Sequence, residues 1–261
     1  MKNTDDLLLY GYEFKMGKYF SDGWDLFKKG AGNYIGFTIV FFLMVMMLVF
    51  IPFVNMIVTA IEYVLIAGIF IYTRNLTKGK GEFANFFEGF KDFVPILLFT
   101  LTLLALMIPA IMIFFFYLVP EGFINEMMNG YSDPEYIVEE FMAMFEGNVG
   151  SIIFLYLVIM LYIMYLYISY SFTLLNIVDR KMKFWDAMEL SRKVVAKNFL
   201  SFFVMYLIMV LLIPLAVIAT CGLGFLVAFP YTYTVIFAAY DDIMGTDEEG
   251  NIETVEIISE S

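Results

Sequence analysis

The side chain with the clearest chemical potential is Glu62, the one acidic or basic residue inside six long apolar runs of this sequence. A carboxylate at membrane depth is costly to hold and commonly marks an ion or substrate path. Thr59 and Asn55 precede it by three and seven residues, so on a helix all three share one face. Together they could form a proton or cation site inside a helical bundle. The competing reading is a protonated or hydrogen-bonded Glu62 that holds two helices together. The lack of a second carboxylate and of any Lys or Arg within those runs, and of histidine anywhere in the chain, favours this packing role.

Other chemistry is thinly represented. Without histidine there is no imidazole base and no His-ligated metal or haem. The adjacent acids Asp241 with Asp242, and Glu139 with Glu140, lack the spaced oxygen ligands of a cation-binding loop and read as solvated surface. Cys221 is alone and sits in ATCGLGF, where it serves as a small packing residue. No catalytic, cofactor or metal site is therefore expected.

The elements that would position Glu62 follow from composition. The 261 residues are 62% hydrophobic and 16% charged, whereas soluble domains carry about 25% charged residues. The apolar runs are Tyr34 to Phe53, Met56 to Tyr72, Val94 to Tyr117, Ser151 to Leu175, Phe199 to Thr220 and Leu223 to Tyr240. Each is close to the roughly 17 to 25 residues that cross a bilayer as a helix. Lipid offers no partner to an unpaired backbone group, so these runs must be helical. The expected fold is all-α, a polytopic bundle of six transmembrane helices, with Pro109, Pro214 and Pro230 as kinks.

Charge sets the expected orientation. With six crossings all fifteen lysines and arginines fall on one side, and Lys and Arg resist translocation. Both termini are then cytoplasmic. The N-terminal stretch has three leucines as its only apolar run and no small-residue cleavage site, so it does not read as a signal peptide. The sequon at Asn75 to Thr77 falls inside, where it is silent. The acids are segregated: residues 118–150 hold seven and no base, and the tail after Tyr240 holds eight and no base. Such surfaces disfavour nucleic acid. The organisation is an N-terminal segment over 1–14, one membrane domain over 15–240 interrupted by the outer insertion 118–150, and an acidic tail over 241–261.

A threefold repeat runs through the membrane domain, over residues 15–75, 80–180 and 182–240. Its signature is FSDGWDLFKK from Phe20, FANFFEGFKD from Phe83 and FWDAMELSRK from Phe184, which align without gaps. Large apolar residues recur at helical spacing, as in Phe20, Trp24 and Phe27, or Phe83, Phe86, Phe87 and Phe90. Each segment reads as an amphipathic helix in the inner interface leading into a hairpin of two crossings, with Trp24, Phe87 and Trp185 as interface anchors. Ordinary juxtamembrane linkers with snorkelling lysines are the alternative.

The outer turns are tight in units one and three, but unit two inserts about thirty residues, far beyond a usual loop. There Asp133 suits an N-cap, Pro134 a first helical position and Gly147 a helix end. Ile137, Phe141, Met144 and Phe145 form an apolar face opposite Glu139 and Glu140. Anionic headgroups repel such acids, so this helix is expected to dock on protein, either its own bundle or a partner. In the tail, Ile252 to Ile258 alternates and could add as a strand to a partner sheet, or be disordered.

The last unit, with its basic AMELSRKVVAKNFLSFF lead-in and CGLGFLVAFPYTYTVIFAAYDDI ending, resembles prokaryotic membrane proteins of unknown function. These are the YciC-like proteins and the membrane domain that accompanies some glycerophosphodiester phosphodiesterases. The resemblance covers residues 15–243 in general plan and residues 183–243 specifically. It implies six helices and a bacterial cytoplasmic membrane, and it brings no activity. The soluble phosphodiesterase domain has no counterpart here, so hydrolysis does not carry over. The expected function is a non-enzymatic membrane scaffold or accessory subunit, with the bilayer and a membrane or periplasmic protein as partners. A transporter or lipid-handling protein built around Glu62 is the alternative.

Overall fold

The computed structural model describes residues 4–49, 55–119, 123–124, 128, 134–146 and 149–245. The chain is all-helical, with no strand among these residues. In chain order the helices are α1 (Thr4–Tyr10), α2 (Met16–Lys29), α3 (Ala31–Val49), α4 (Asn55–Thr77), a 3-10 helix (Phe83–Asp92), α5 (Phe93–Leu118), α6 (Pro134–Phe145), α7 (Val149–Ser169), α8 (Thr173–Val178), α9 (Phe184–Ala196), α10 (Phe199–Ala219) and α11 (Phe225–Met244). Among the described residues the apolar runs lie on helices, except that the run from Ser151 is interrupted between Ser169 and Thr173 and the last helix opens at Phe225.

By length and composition three spans qualify as membrane-crossing, Phe83–Tyr117, Val149–Val178 and Phe199–Ala219. A fourth qualifies if Met16–Lys29 and Ala31–Met47, which meet at 87°, count as one broken span. The expected six are thus reached only in part. Helix α4 carries Glu62 and Arg74, and α11 carries Tyr231 to Thr234 in its middle and Asp241 and Asp242 near its end. Both are polar enough to want protein neighbours, and both supply long stretches of the core, including Ile69 to Thr73 and Thr234 to Tyr240.

The contacts divide the chain into two compact units, residues 1–100 with 168–261, and residues 101–167. In the first, the segments from Phe20, Phe83 and Phe184 are all helical, on α2, the 3-10 helix and α9. They pack respectively on α11, on α4 and on α8. Small residues permit two of these approaches. A Cβ at Gly23 would sit 2.8 Å from the Val235 backbone of α11. One at Gly89 would overlap the Val64 carbonyl of α4, and one at Gly68 the Phe86 carbonyl. Backbone therefore rests on backbone between α4 and the 3-10 helix.

Aromatic rings fill the space behind these contacts. Phe86 stacks on Phe37 with centroids 4.3 Å apart and on Tyr72 at 4.2 Å, while Tyr34 meets Tyr72 edge-on at 4.9 Å. Pairs of this kind contribute about 0.5–1.5 kcal/mol beyond their burial. Tyr34 also shares a 2.7 Å hydrogen bond with Thr73, which satisfies both hydroxyls inside the core.

The second unit contains a helical hairpin from α5 and α7. Its seam is narrow: buried Ala110 and Ile159, flanked by Ile113, Ile152, Leu155 and Tyr162. The Tyr162 hydroxyl donates to the Leu106 carbonyl at 2.7 Å, close to Pro109. Phe114 to Tyr117 on α5 and Ile153, Phe154 and Leu157 on α7 are exposed. Apolar faces of this breadth fit lipid or another membrane helix rather than water.

Candidate functional site

The densest polar constellation lies at the end of the first unit where α8 meets α4, α9, α11 and the 3-10 helix. It is built on an interruption. The helical run from Val149 ends at Ser169, turns through Tyr170 to Phe172, and resumes as α8, whose six residues are all buried. The Ser191 hydroxyl of α9 fills the gap, accepting from the Phe172 N–H at 3.1 Å and donating to the Ser169 carbonyl at 2.8 Å. Two backbone groups freed by the break are thereby satisfied.

Beyond the break, each polar residue of α8 and the turn after it reaches a different element. Asn176 donates to the Ala187 carbonyl of α9 at 3.1 Å and accepts from the Tyr240 hydroxyl of α11 at 3.3 Å. Asp179, buried, accepts from Arg74 of α4 at 2.8 Å. Arg180 donates to the Tyr240 hydroxyl at 3.1 Å, to Thr4 of α1 at 3.2 Å and to the Met244 carbonyl at 2.9 Å. Lys181 donates to Asp92 of the 3-10 helix at 2.7 Å. The turn closes with Lys181 in the left-handed region, at φ 52°.

A second cluster ties α2 to α11. Lys18 donates to Asp242 at 2.6 Å, and the Tyr19 hydroxyl donates to the other oxygen of the same carboxylate at 3.2 Å. One stripe of α2, Lys18, Asp22, Asp25 and Lys29, faces Asp241 and Asp242 across an open cleft of about 320 Å³. On α9, three bonds from Arg192 and a 3.2 Å contact from Lys193 hold the Glu189 carboxyl below the ordinary range. The N-terminal segment is strapped to the same helix: Tyr12 donates to the Val194 carbonyl at 3.0 Å, and Asn198 returns a bond to the Tyr12 carbonyl at 3.0 Å.

The residues singled out from the sequence lie elsewhere. Glu62 is half-buried on α4, has no hydrogen-bond or ion-pair partner among the described residues, and lines neither this cleft nor the apolar groove of about 310 Å³ beside Phe42 and Phe225. Thr59 is also half-buried, and the side chain of Asn55 lies outside the described residues. Trp24 is 42% exposed, stacked on Phe27 and edge-on to Tyr231. Phe87 meets Phe37 and Phe83, and Trp185 is 60% exposed beside Phe184. Helix α6 occupies Pro134–Phe145 as the insertion's pattern predicts, with Glu135 and Glu139 exposed. The side chains of Ile137, Phe141 and Phe145, together with Asp133, Gly147 and the tail from residue 246, lie outside the described residues.

Sequence reasoning passed over Arg74, Asp92, Asn176, Asp179, Arg180 and Tyr240. Their signal was available in part: Asn176, Asp179 and Arg180 recur at helical spacing at the end of an apolar run. Their side-chain partners are 60 to 176 positions away and had no local mark.

The fold defines an all-helical protein with several apolar membrane-span candidates. Comparison with protein-family models, with curated proteins and with solved structures finds no match to this chain.

Proposed function

We propose that the chain is an integral membrane scaffold or accessory subunit of a membrane protein complex, without catalytic activity. In this reading it crosses a bacterial cytoplasmic membrane six times as three units of in-plane helix plus hairpin, with both termini inside. The packing of α2 on α11, of the 3-10 helix on α4 and of α9 on α8 supports the repeat: each in-plane helix rests on the preceding unit's second crossing, in cyclic order. Partner contacts run through the outer insertion and the acidic tail.

The carrying observation is the use made of charge. Arg74 with Asp179, Lys181 with Asp92 and Lys18 with Asp242 join separate helices of the first unit to one another. In the 101–167 hairpin the seam covers little, and the apolar faces are open to a partner helix. A frame locked by its own charges in a chain that also carries a bare hairpin is the build of a protein that holds another. The test is gentle extraction of the tagged protein and mass spectrometry of co-purifying chains, for the wild type and for a variant lacking residues 121–147. A stoichiometric partner lost with the deletion is expected; a partner-free protein contradicts the reading.

The second reading is a transporter or lipid-handling protein using Glu62, with Thr59 and Asn55 beside it. It is favoured by the absence of a partner to this half-buried carboxylate among the described residues. It predicts that Glu62→Gln abolishes a flux that the scaffold reading does not require.

A further inference from the structure

We propose that residues 173–181 form a latched switch: a short helix hinged at Ser171 and Phe172 and held shut by the Arg74–Asp179 and Lys181–Asp92 ion pairs. The inference goes beyond the scaffold reading and does not depend on it.

The hinge is the interruption after Ser169. It contains neither proline nor glycine, the residues that usually break a helix, so tertiary contacts maintain it. One such contact is the Ser191 hydroxyl, bonded on both sides of the gap. Another is Phe172, fully buried and edge-on to Phe202 and Tyr240 at 5.5 and 5.3 Å. Segments of this kind absorb the backbone change when a helix end moves.

The latch is everything that α8 and the following turn hold beyond the hinge. Within nine residues they engage α1, α4, the 3-10 helix, α9 and α11 through Asn176, Asp179, Arg180 and Lys181. These ties are charged or polar, and so can exchange partners where an apolar seam cannot. Arg180 matters most for the consequence of release, because it clasps Thr4 of α1 and the Met244 carbonyl where α11 ends. Freeing residues 173–181 releases one tie on the N-terminal helix and one on the end of α11 together.

The shut position carries identifiable penalties that an open one would relieve. Ser171 Oγ, Thr173 Oγ1 and Asp179 Oδ2 are buried without a hydrogen-bond partner in the protein. A buried polar atom left unsatisfied works against the state that buries it. Lys181 adds a left-handed backbone at a non-glycine residue. Three oxygens without a protein partner and one unfavourable dihedral over eleven residues work against the ties that hold the segment shut, and a second arrangement that relieves them is inferred from that opposition.

The test places a single cysteine at Val178 in the Cys221→Ser background and follows maleimide labelling in native membranes. Val178 is 2% exposed, and a control cysteine at Val235, fully buried against Gly23, reports on the rest of the same unit. Combining Arg74→Gln with Asp92→Asn is expected to raise labelling at position 178 at least tenfold while leaving position 235 at its parental rate. Exchanging the charges, Arg74→Asp with Asp179→Arg, should bring position 178 back towards the parent. Parallel rises at both positions, or no rise at 178, overturn the switch. Should the latch variants fail to accumulate, hydrogen exchange on the unaltered protein decides: amides of 173–181 are expected to exchange at least tenfold faster than those of 234–240, and equal protection overturns the proposal.

Discussion

The end of the first unit around α8 and the hairpin of residues 101–167 solve opposite problems with the same stock of apolar helix. Around α8, helices are joined by charged and polar pairs between elements far apart in sequence, backed by stacked rings. In the hairpin, a seam of small and branched residues joins two helices, with the Tyr162 hydroxyl bonded across it. Only 11% of the apolar window of Val149–Val178 is buried inside the protein. The difference teaches where specificity resides. Lipid tails are as apolar as leucine, so an apolar face gains little by preferring protein over lipid, while a buried charge has few acceptable neighbours. The charged pairs of the first unit are therefore committed to one another, and the apolar faces of the hairpin carry no such commitment.

The comparison breaks most severely where backbone rests on backbone. Gly68→Val drives a side chain into the Phe86 carbonyl, with no flexible end to give way, and overpacking of this kind costs about 3 kcal/mol or more. The expected outcome is loss of monodisperse protein after extraction, read by size-exclusion chromatography. The same substitution at Gly150, where a Cβ meets nothing within 4 Å, should leave the elution profile unchanged.

Next in size is the buried ion pair. Asp179→Ala strands the Arg74 guanidinium beside a buried site, and removing one partner of such a pair costs roughly 3 kcal/mol. Replacing both, Arg74→Met with Asp179→Leu, should return most of that stability, because two apolar groups of similar volume need no charge neutralised. Thermal melting in detergent distinguishes the two, and a double variant as unstable as the single one would contradict the desolvation account.

In the hairpin the expected effects shrink. Tyr162→Phe removes the bond to the Leu106 carbonyl, and interhelical hydrogen bonds in membranes average about 0.6 kcal/mol. A loss as large as that of Asp179→Ala would show the two regions to be alike. Smallest of all is Lys28→Ala, since its 2.8 Å pair with Asp25 joins two mostly exposed side chains, worth about 0.5 kcal/mol or less.

Much of this fold was legible because hydrophobic run length and helical periodicity are local signals. The six apolar runs, the helices that begin around Phe20, Phe83 and Phe184, and the insertion helix opening at Pro134 could all be read from neighbours in the chain. Their geometry was less accessible. The segment from Phe83 is 3-10, and Gly68 and Gly89 bring its backbone against that of α4 across about twenty positions, which no window of sequence displays. The candidate site was legible only as residue types. Glu62 is conspicuous as a carboxylate among apolar residues, whereas Asp179 and Arg74, each at the end of an apolar run, resemble ordinary interface charges until the fold pairs them.

The division between a self-committed frame and an available hairpin is tested most directly by site-specific photo-crosslinking in native membranes. The crosslinker is placed at exposed Phe154 on α7, at exposed Met142 on α6 and, as control, at exposed Val210 on α10. The account predicts one discrete protein adduct shared by positions 154 and 142 and only lipid adducts at 210. Lipid adducts alone at all three positions, or the same protein adduct at 210, would contradict it.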